Sequence, residues 1–101
     1  MFDVILKRMR EAVREGRYIT TIHADEEMDE DDLTILDVEN GILTGEILER
    51  QKDHLTGEWK YRIRGNTSKG TNRIEVIAKL SLTGRLVIIT VYAIWSEDDK
   101  P

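Results

Sequence analysis

The chain contains no cysteine. This absence excludes a disulfide, a thiolate nucleophile and a thiolate metal site, and it fits the reducing cytoplasm, where we expect the protein to be located. No apolar run approaches the roughly 20 residues that a transmembrane helix needs, so we expect no membrane partner. Charged residues begin at Asp3, too early for the apolar core of a secretory signal.

A length of 101 residues predicts one domain, which we place at residues 1–96, followed by an acidic tail at 97–101. Helical spacing of apolar residues predicts a first helix over 3–15, and strand-forming residues predict a strand over 18–23. A second helix is predicted over 30–39, with Asp29 as its N-cap and Asn40-Gly41 as its stop. Four more strands complete an α+β domain, in which two N-terminal helices pack on a mostly antiparallel, five-stranded sheet.

The most hydrophobic stretch, residues 73–95, predicts a central hairpin that turns at Gly84. Strict alternation in its first strand gives an apolar face of Ile74, Val76, Ala78 and Leu80. In its second strand, one predicted face contains Val87, Ile89, Val91 and Ala93, and the other contains Leu86, Ile88, Thr90, Tyr92 and Ile94. We expect Lys79, Thr90 and Tyr92 to lie on the more open side of the sheet.

Charge is unevenly distributed around a net value of −5. Residues 23–32 contain seven acidic side chains and no basic one, whereas residues 58–95 contain seven basic and two acidic side chains. A local excess of cations on a sheet points to a polyanion such as RNA. The alternative interpretation is a pair of solvated surfaces on an ordinary acidic protein.

Cationic and titratable side chains from three predicted strands are candidates for RNA cleavage without a metal. The predicted RNA-binding residues are Lys60, Arg62 and Arg64, and the predicted catalytic residues are His23, Lys79, Thr90 and Tyr92. In this chemistry a base removes the proton of the ribose 2′-OH, cations stabilise charge on the phosphate, and an acid protonates the leaving oxygen. His23 suits the role of base or acid, although it could equally cap the following helix.

A metal site at His23, Asp25, Glu26 and Glu27 is a weaker alternative, since consecutive carboxylates are common at a helix entry without any metal. The sequence has no phosphate-binding glycine loop and no serine elbow. We therefore expect no metal and no cofactor.

Several short motifs together resemble an uncharacterised bacterial family, a small domain of unknown function. They are Thr21-x-His23-Ala24, Glu27-Met28, Asp37-Val38, Gly45, Tyr61-x-Ile63-x-Gly65, Val76-x-x-Lys79 and Gly84-x-Leu86-Val87-Ile88-Ile89-Thr90-Val91-Tyr92. Members of that family are similar to toxin ribonucleases of the RelE/MqsR type, and some are encoded beside a small zinc-finger antitoxin. Many relatives carry arginine where this chain has Glu27, which implies weaker phosphate binding beside His23.

This resemblance implies a RelE-like fold and a metal-independent endoribonuclease that cleaves mRNA, free or on the ribosome, and is inhibited by an antitoxin protein. It implies that His23, Lys79, Thr90 and Tyr92 are the positions to test. The alternative hypothesis is a non-catalytic protein-interaction module of the same fold. A third hypothesis is a protein that binds a metal or small ligand.

Overall fold

The computed structural model describes residues 1–70 and 72–94. Eight elements follow one another in the chain: α1 (Asp3–Arg14), β1 (Tyr18–Thr20), α2 (Ile22–Glu30), α3 (Ile35–Thr44), β2 (Glu46–Lys52), β3 (Trp59–Asn66), β4 (Arg73–Leu80) and β5 (Leu86–Ile94). The end of the predicted domain at residue 96 and the predicted tail at 97–101 lie outside the described residues.

The five strands form one sheet in the order β1-β5-β4-β3-β2. β1 runs parallel to β5, and every other pairing is antiparallel. The predicted α+β class and the mostly antiparallel, five-stranded sheet are confirmed. The prediction of two N-terminal helices is wrong, because the described chain forms three helices and two of them follow β1. No helix within residues 1–70 and 72–94 is long and apolar enough to cross a bilayer.

The boundaries of the helices that follow β1 differ from the prediction because the acidic run is itself helical. The predicted strand 18–23 stops at Thr20, and the Thr21 side chain caps α2 by accepting a hydrogen bond from the Ala24 N–H (3.1 Å). The predicted helix 30–39 is also misplaced: α2 ends at Glu30, and Thr34 and Asp37 form a reciprocal capping box that starts α3.

The prediction that Gly41 ends this helix is wrong. Gly41 lies inside α3, where the helix approaches the sheet most closely. A Cβ atom at Gly65 of β3 would meet the Gly41 carbonyl oxygen, and a Cβ atom at Gly41 would meet the Ile74 side chain. Backbone therefore packs on backbone where α3 crosses β3, and no larger residue fits either position without a shift. This contact explains why a helix interior contains a glycine despite its unfavourable helix propensity.

One β-bulge in the central hairpin changes which residues face the core. Ile77 pairs with Thr90, but the next residue, Ala78, pairs with Ile88, so that Ile89 is the extra residue of β5. The strict alternation predicted for β5 is therefore wrong. Leu86, Ile88 and Val91 are all buried in one core, while Thr90 and Tyr92 point to the other side of the sheet.

The core lies between one face of the sheet and the three helices. Its buried apolar residues are Met9, Ala12 and Val13 from α1, Ala24 and Met28 from α2, Val38 and Ile42 from α3, and Ile63, Ile74, Val76, Ala78, Leu86, Ile88 and Val91 from the strands. None of the described helices contributes to a core on the opposite face, which we call the open face.

Side chains of α2 and its cap cover the edge of β5 beyond the short strand β1. Three hydrogen bonds replace those of a missing neighbour strand: Thr21 Oγ1 donates to the Ile89 carbonyl (3.1 Å), the Val91 N–H donates to Glu27 Oε1 (3.1 Å), and the Ala93 N–H donates to Asp31 Oδ2 (2.8 Å). Part of the acidic run thus satisfies backbone donors that would otherwise be a template for edge-to-edge pairing.

Replacing Glu27 by alanine should lower the free energy of unfolding by about 1–2 kcal/mol, because the Val91 N–H loses its acceptor. Hydrogen exchange at the Val91 amide should accelerate relative to the wild type. Glu26→Ala is the matched control, since Glu26 is exposed on the same helix. Equal Val91 exchange in the two variants would show that Glu27 does not protect this edge.

Candidate functional site

The open face collects polar side chains from three adjacent strands. Register places Arg64 of β3 opposite Glu75 of β4, and Glu75 opposite Tyr92 of β5. Arg62 lies two residues before Arg64 and therefore shares its face. The sheet thus brings a carboxylate, two guanidinium groups and a phenol together, and three of these four groups were predicted site residues.

Glu75 is the centre of this cluster. Its side chain is only 3% exposed, although it lies on the open face. Arg62 Nη1 and Tyr92 Oη donate to Glu75 Oε1 at 2.8 and 2.6 Å, and Arg64 donates to Oε2 through Nε (3.0 Å) and Nη2 (2.6 Å). The surrounding side chains therefore remove the carboxylate from water and replace its hydration with four hydrogen bonds.

These contacts shift the pKa values of Glu75, Tyr92 and Arg62. Burial alone would raise the pKa of Glu75, but the hydrogen bonds from Tyr92, Arg62 and Arg64 outweigh it and hold the pKa below its ordinary value. Burial and the bond to Glu75 raise the pKa of Tyr92, so the phenol keeps its proton. Bonds to Glu75 and Glu49 raise the pKa of Arg62.

The other cations of the open face have different surroundings. Lys79 Nζ lies 3.1 Å from Glu58 Oε1, and Arg62 Nε also donates to Glu49 Oε1 at 3.0 Å. Lys60 is half-buried on β3 beside Gln51 of β2. Three glutamates thus offset the cations of this face, so its positive charge is weaker than the sequence count indicates.

His23 is not part of the cluster. It lies in the first turn of α2 rather than at the end of a strand, its side chain is 65% exposed, and its Nε2 atom is 3.2 Å from Glu27 Oε1. Within residues 1–70 and 72–94, no hydrogen bond or ion pair joins His23 to Lys79 or Tyr92. Thr90 is half-buried on the open face opposite Ile77, next to the cluster.

Sequence reasoning missed Glu75, which it counted only as a minor acidic residue among the basic ones. A signal was present, because Glu75 is the single acidic residue between apolar neighbours in a strand that should be central. A charge in such a position is rarely buried without a partner. The partners themselves could not be chosen, since the pairing of β3 with β4 was not fixed by the sequence.

Of the four side chains considered for a metal site, Asp25 and Glu27 are hydrogen-bonded elsewhere, His23 contacts Glu27, and Glu26 is exposed. Asp25 accepts a hydrogen bond from Thr20 Oγ1 (2.7 Å), and Glu27 bonds to the Val91 N–H and His23. In the part of the chain that the structure describes, no three His, Asp or Glu side chains converge to hold a metal ion.

Comparison with protein families gives a match that covers most of the chain. Residues 20–93 match a family described as "Domain of unknown function (DUF4258)". The chain belongs to the DUF4258 family. The expectation of an uncharacterised domain family is thereby confirmed, whereas its likeness to toxins and its pairing with an antitoxin remain predictions. Searches of curated proteins and of solved structures gave no match. The DUF4258 region contains all four residues of the open-face cluster and leaves out α1.

Glu75→Gln should lower the free energy of unfolding at pH 7 by about 1–3 kcal/mol, because two arginines lose an ionised acceptor. The folded-state pKa of Glu75 lies below its ordinary value of 4.5. The carboxylate therefore contributes stability above about pH 4.5, and this contribution is lost as the pH falls through the folded-state pKa.

The difference between wild type and Glu75→Gln should consequently shrink as the pH falls from 7 to 3, measured by urea unfolding. Glu11→Gln, on the exposed side of α1, is the control for the loss of one carboxylate. A difference that stays constant over this range would contradict the ionised network.

Proposed function

We propose that this DUF4258 protein is a metal-independent endoribonuclease with a RelE-like fold, which acts on RNA by attack of the ribose 2′-OH. We further propose that it is the toxin of a toxin–antitoxin pair, acts on mRNA and is held inactive by its antitoxin. The observation that supports cleavage best is the cluster of Glu75, Arg62, Arg64 and Tyr92 on the open face. It contains a proton acceptor, two phosphate ligands and a proton donor within one set of contacts.

In the proposed reaction, Glu75 takes the proton of the 2′-OH while the 2′ oxygen forms a bond to phosphorus. Arg62 and Arg64 bind the phosphate oxygens, on which negative charge accumulates. Tyr92 gives its proton to the 5′ oxygen as the bond from phosphorus to that oxygen breaks. The products are a 2′,3′-cyclic phosphate and a 5′-OH, and proton exchange with water then restores both side chains.

Substrate binding would itself activate the base. In the free protein both arginines are bonded to Glu75 and lower its pKa, which makes it a weak base. An RNA phosphate would compete with the carboxylate for the same guanidinium groups. When these bonds are lost, burial becomes the dominant effect on the pKa of Glu75. The pKa then rises, and Glu75 becomes a stronger base.

The other predicted residues take secondary roles in this proposal. Lys60 lies on the same strand face as the two arginines and can contact a neighbouring phosphate. Lys79 must release Glu58 before it can do so. Thr90 lies beside Tyr92 and can orient the bound RNA. His23 is exposed on α2 and is assigned to the rim of the site rather than to the reaction.

A second candidate function is a non-catalytic protein-interaction module. It is favoured by the carboxylates of Glu49, Glu58 and Glu75, which already pair with cations of the open face. If these ion pairs persist in the presence of RNA, the face is close to neutral and has no advantage for a polyanion.

Purified protein should cleave mRNA in the presence of a chelator, tested with and without ribosomes. Glu75→Gln and Tyr92→Phe should each reduce the rate about 100-fold or more, as expected for loss of a general base or acid. His23→Ala should retain most of the activity. The new 3′ ends should be cyclic phosphates, which mass spectrometry of the fragments identifies.

Arg73→Gln is the matched control, because Arg73 is an exposed cation at the start of β4 outside the cluster. Each variant is assayed below its own unfolding temperature, so that lost activity is not lost structure. Intact RNA under every condition with a folded wild-type protein would reject the ribonuclease and favour the interaction module. Loss of cleavage in the chelator would reject the metal-independent mechanism.

A further inference from the structure

A groove runs beside the N-terminal half of α1 on the side of the sheet away from the open face. It consists of two cavities of about 290 and 330 Å³ that share Ile5, Arg8 and Tyr61 in their linings. Because they share these lining residues, the two cavities are neighbours, and we refer to them together as the α1 groove.

The walls of the α1 groove are apolar and accessible. Phe2 and Tyr61 meet edge to face in its floor, with ring centroids 5.9 Å apart. Val4 is 76% exposed, Trp59 is 40% exposed, and Leu82 is fully exposed at the far end. A run of exposed apolar side chains along a concave surface is typical of a binding site rather than of a surface that contacts only solvent.

The rim of the α1 groove is cationic. Arg8 lines both cavities, the Arg50 guanidinium lies 4.1 Å from the centroid of the Trp59 ring, and the Lys52 ammonium lies 5.5 Å from it. In the described part of the chain, no carboxylate forms an ion pair with any of these three cations. Glu58 also lines the groove, but it is paired with Lys79.

Three cations of the open face and three cations beside the groove therefore differ in their pairing. Arg62, Arg64 and Lys79 on the open face are paired with glutamates, whereas Arg8, Arg50 and Lys52 beside the groove are not. Cations without counter-charges around an apolar depression are complementary to a ligand that is apolar along one side and acidic along its margins.

We propose that the α1 groove binds an acidic amphipathic segment of a partner protein, with its apolar side chains in the groove and its carboxylates on Arg8, Arg50 and Lys52. Recognition would follow the mode in which an amphipathic helix lies in a hydrophobic groove. The proposal goes beyond the ribonuclease and stands whether or not the open face cleaves RNA.

RNA fits this groove less well than a peptide does. Single-stranded RNA binds by stacking its bases on aromatic faces, and Arg50 lies over one face of the Trp59 ring. The remaining walls include the aliphatic side chains of Val4, Ile5 and Leu82, which complement leucine or isoleucine rather than a base.

The test titrates the full, ¹⁵N-labelled chain with a synthetic helical peptide of about five turns that has leucines on one face and glutamates on the other. The Trp59 indole N–H and the Val4 amide should shift saturably. Arg50→Glu combined with Lys52→Glu should weaken binding about tenfold or more, because two attractive charges become repulsive.

Arg14→Glu combined with Arg73→Glu is the matched control, since it changes the net charge equally at exposed sites that do not line either cavity. It should change the affinity by less than about twofold, the small effect expected of distant, screened charges. Equal weakening by the two double variants, or equal binding of a scrambled peptide, would overturn the proposal. Chemical-shift changes in the α1 groove that an oligouridine causes and the peptide does not would also overturn the proposal. The same holds for chemical-shift changes caused by raising the protein concentration alone.

Discussion

The open face depends on one buried carboxylate. Glu75 lies on the open face, in a central strand, and its side chain is almost fully removed from water. A charge in that position is tolerated only with strong partners, and Arg62, Arg64 and Tyr92 supply them from both neighbouring strands. The same contacts that make the carboxylate compatible with folding also bring together the groups that act in the proposed phosphodiester cleavage.

Two local features of the backbone place this cluster. The bulge at Ile89 keeps Leu86, Ile88 and Val91 in the core and turns Tyr92 toward Glu75. In an unbroken strand, Leu86, Ile88 and Tyr92 would all lie on the same face. The contact between Gly41 and Gly65 fixes α3 against β3, on the face of the sheet opposite the cluster. Carboxylates of α2 then close the edge of β5. The acidic run therefore has a structural role, although its composition alone does not show one.

The sequence predicted the strands and the sheet well because their alternation and turn residues are local signals. It predicted Arg62, Arg64 and Tyr92 as site residues for the same reason, since each follows the period of its strand. It predicted α1 but misplaced the helices that follow β1. The acidic residues 25–32 indicate a helix start in the sequence, whereas Glu27 and Asp31 accept hydrogen bonds from β5 far along the chain. It included His23 from its chemistry and from the family resemblance. It missed Glu75, because the cross-strand register that joins Glu75 to its partners is a tertiary property.

In the proposed mechanism, an RNA phosphate takes Arg62 and Arg64 from Glu75 and so turns a weak base into an effective one. The most direct measurement is a ¹³C NMR titration of the Glu75 carboxyl group, free and saturated with a 2′-deoxy analogue that binds without being cleaved. The pKa of Glu75 should rise when the analogue binds, because the arginine bonds that depress it are lost. An unchanged pKa at saturation would rule out this activation of Glu75 and leave Glu75, Arg62 and Arg64 as a structural ion-pair network.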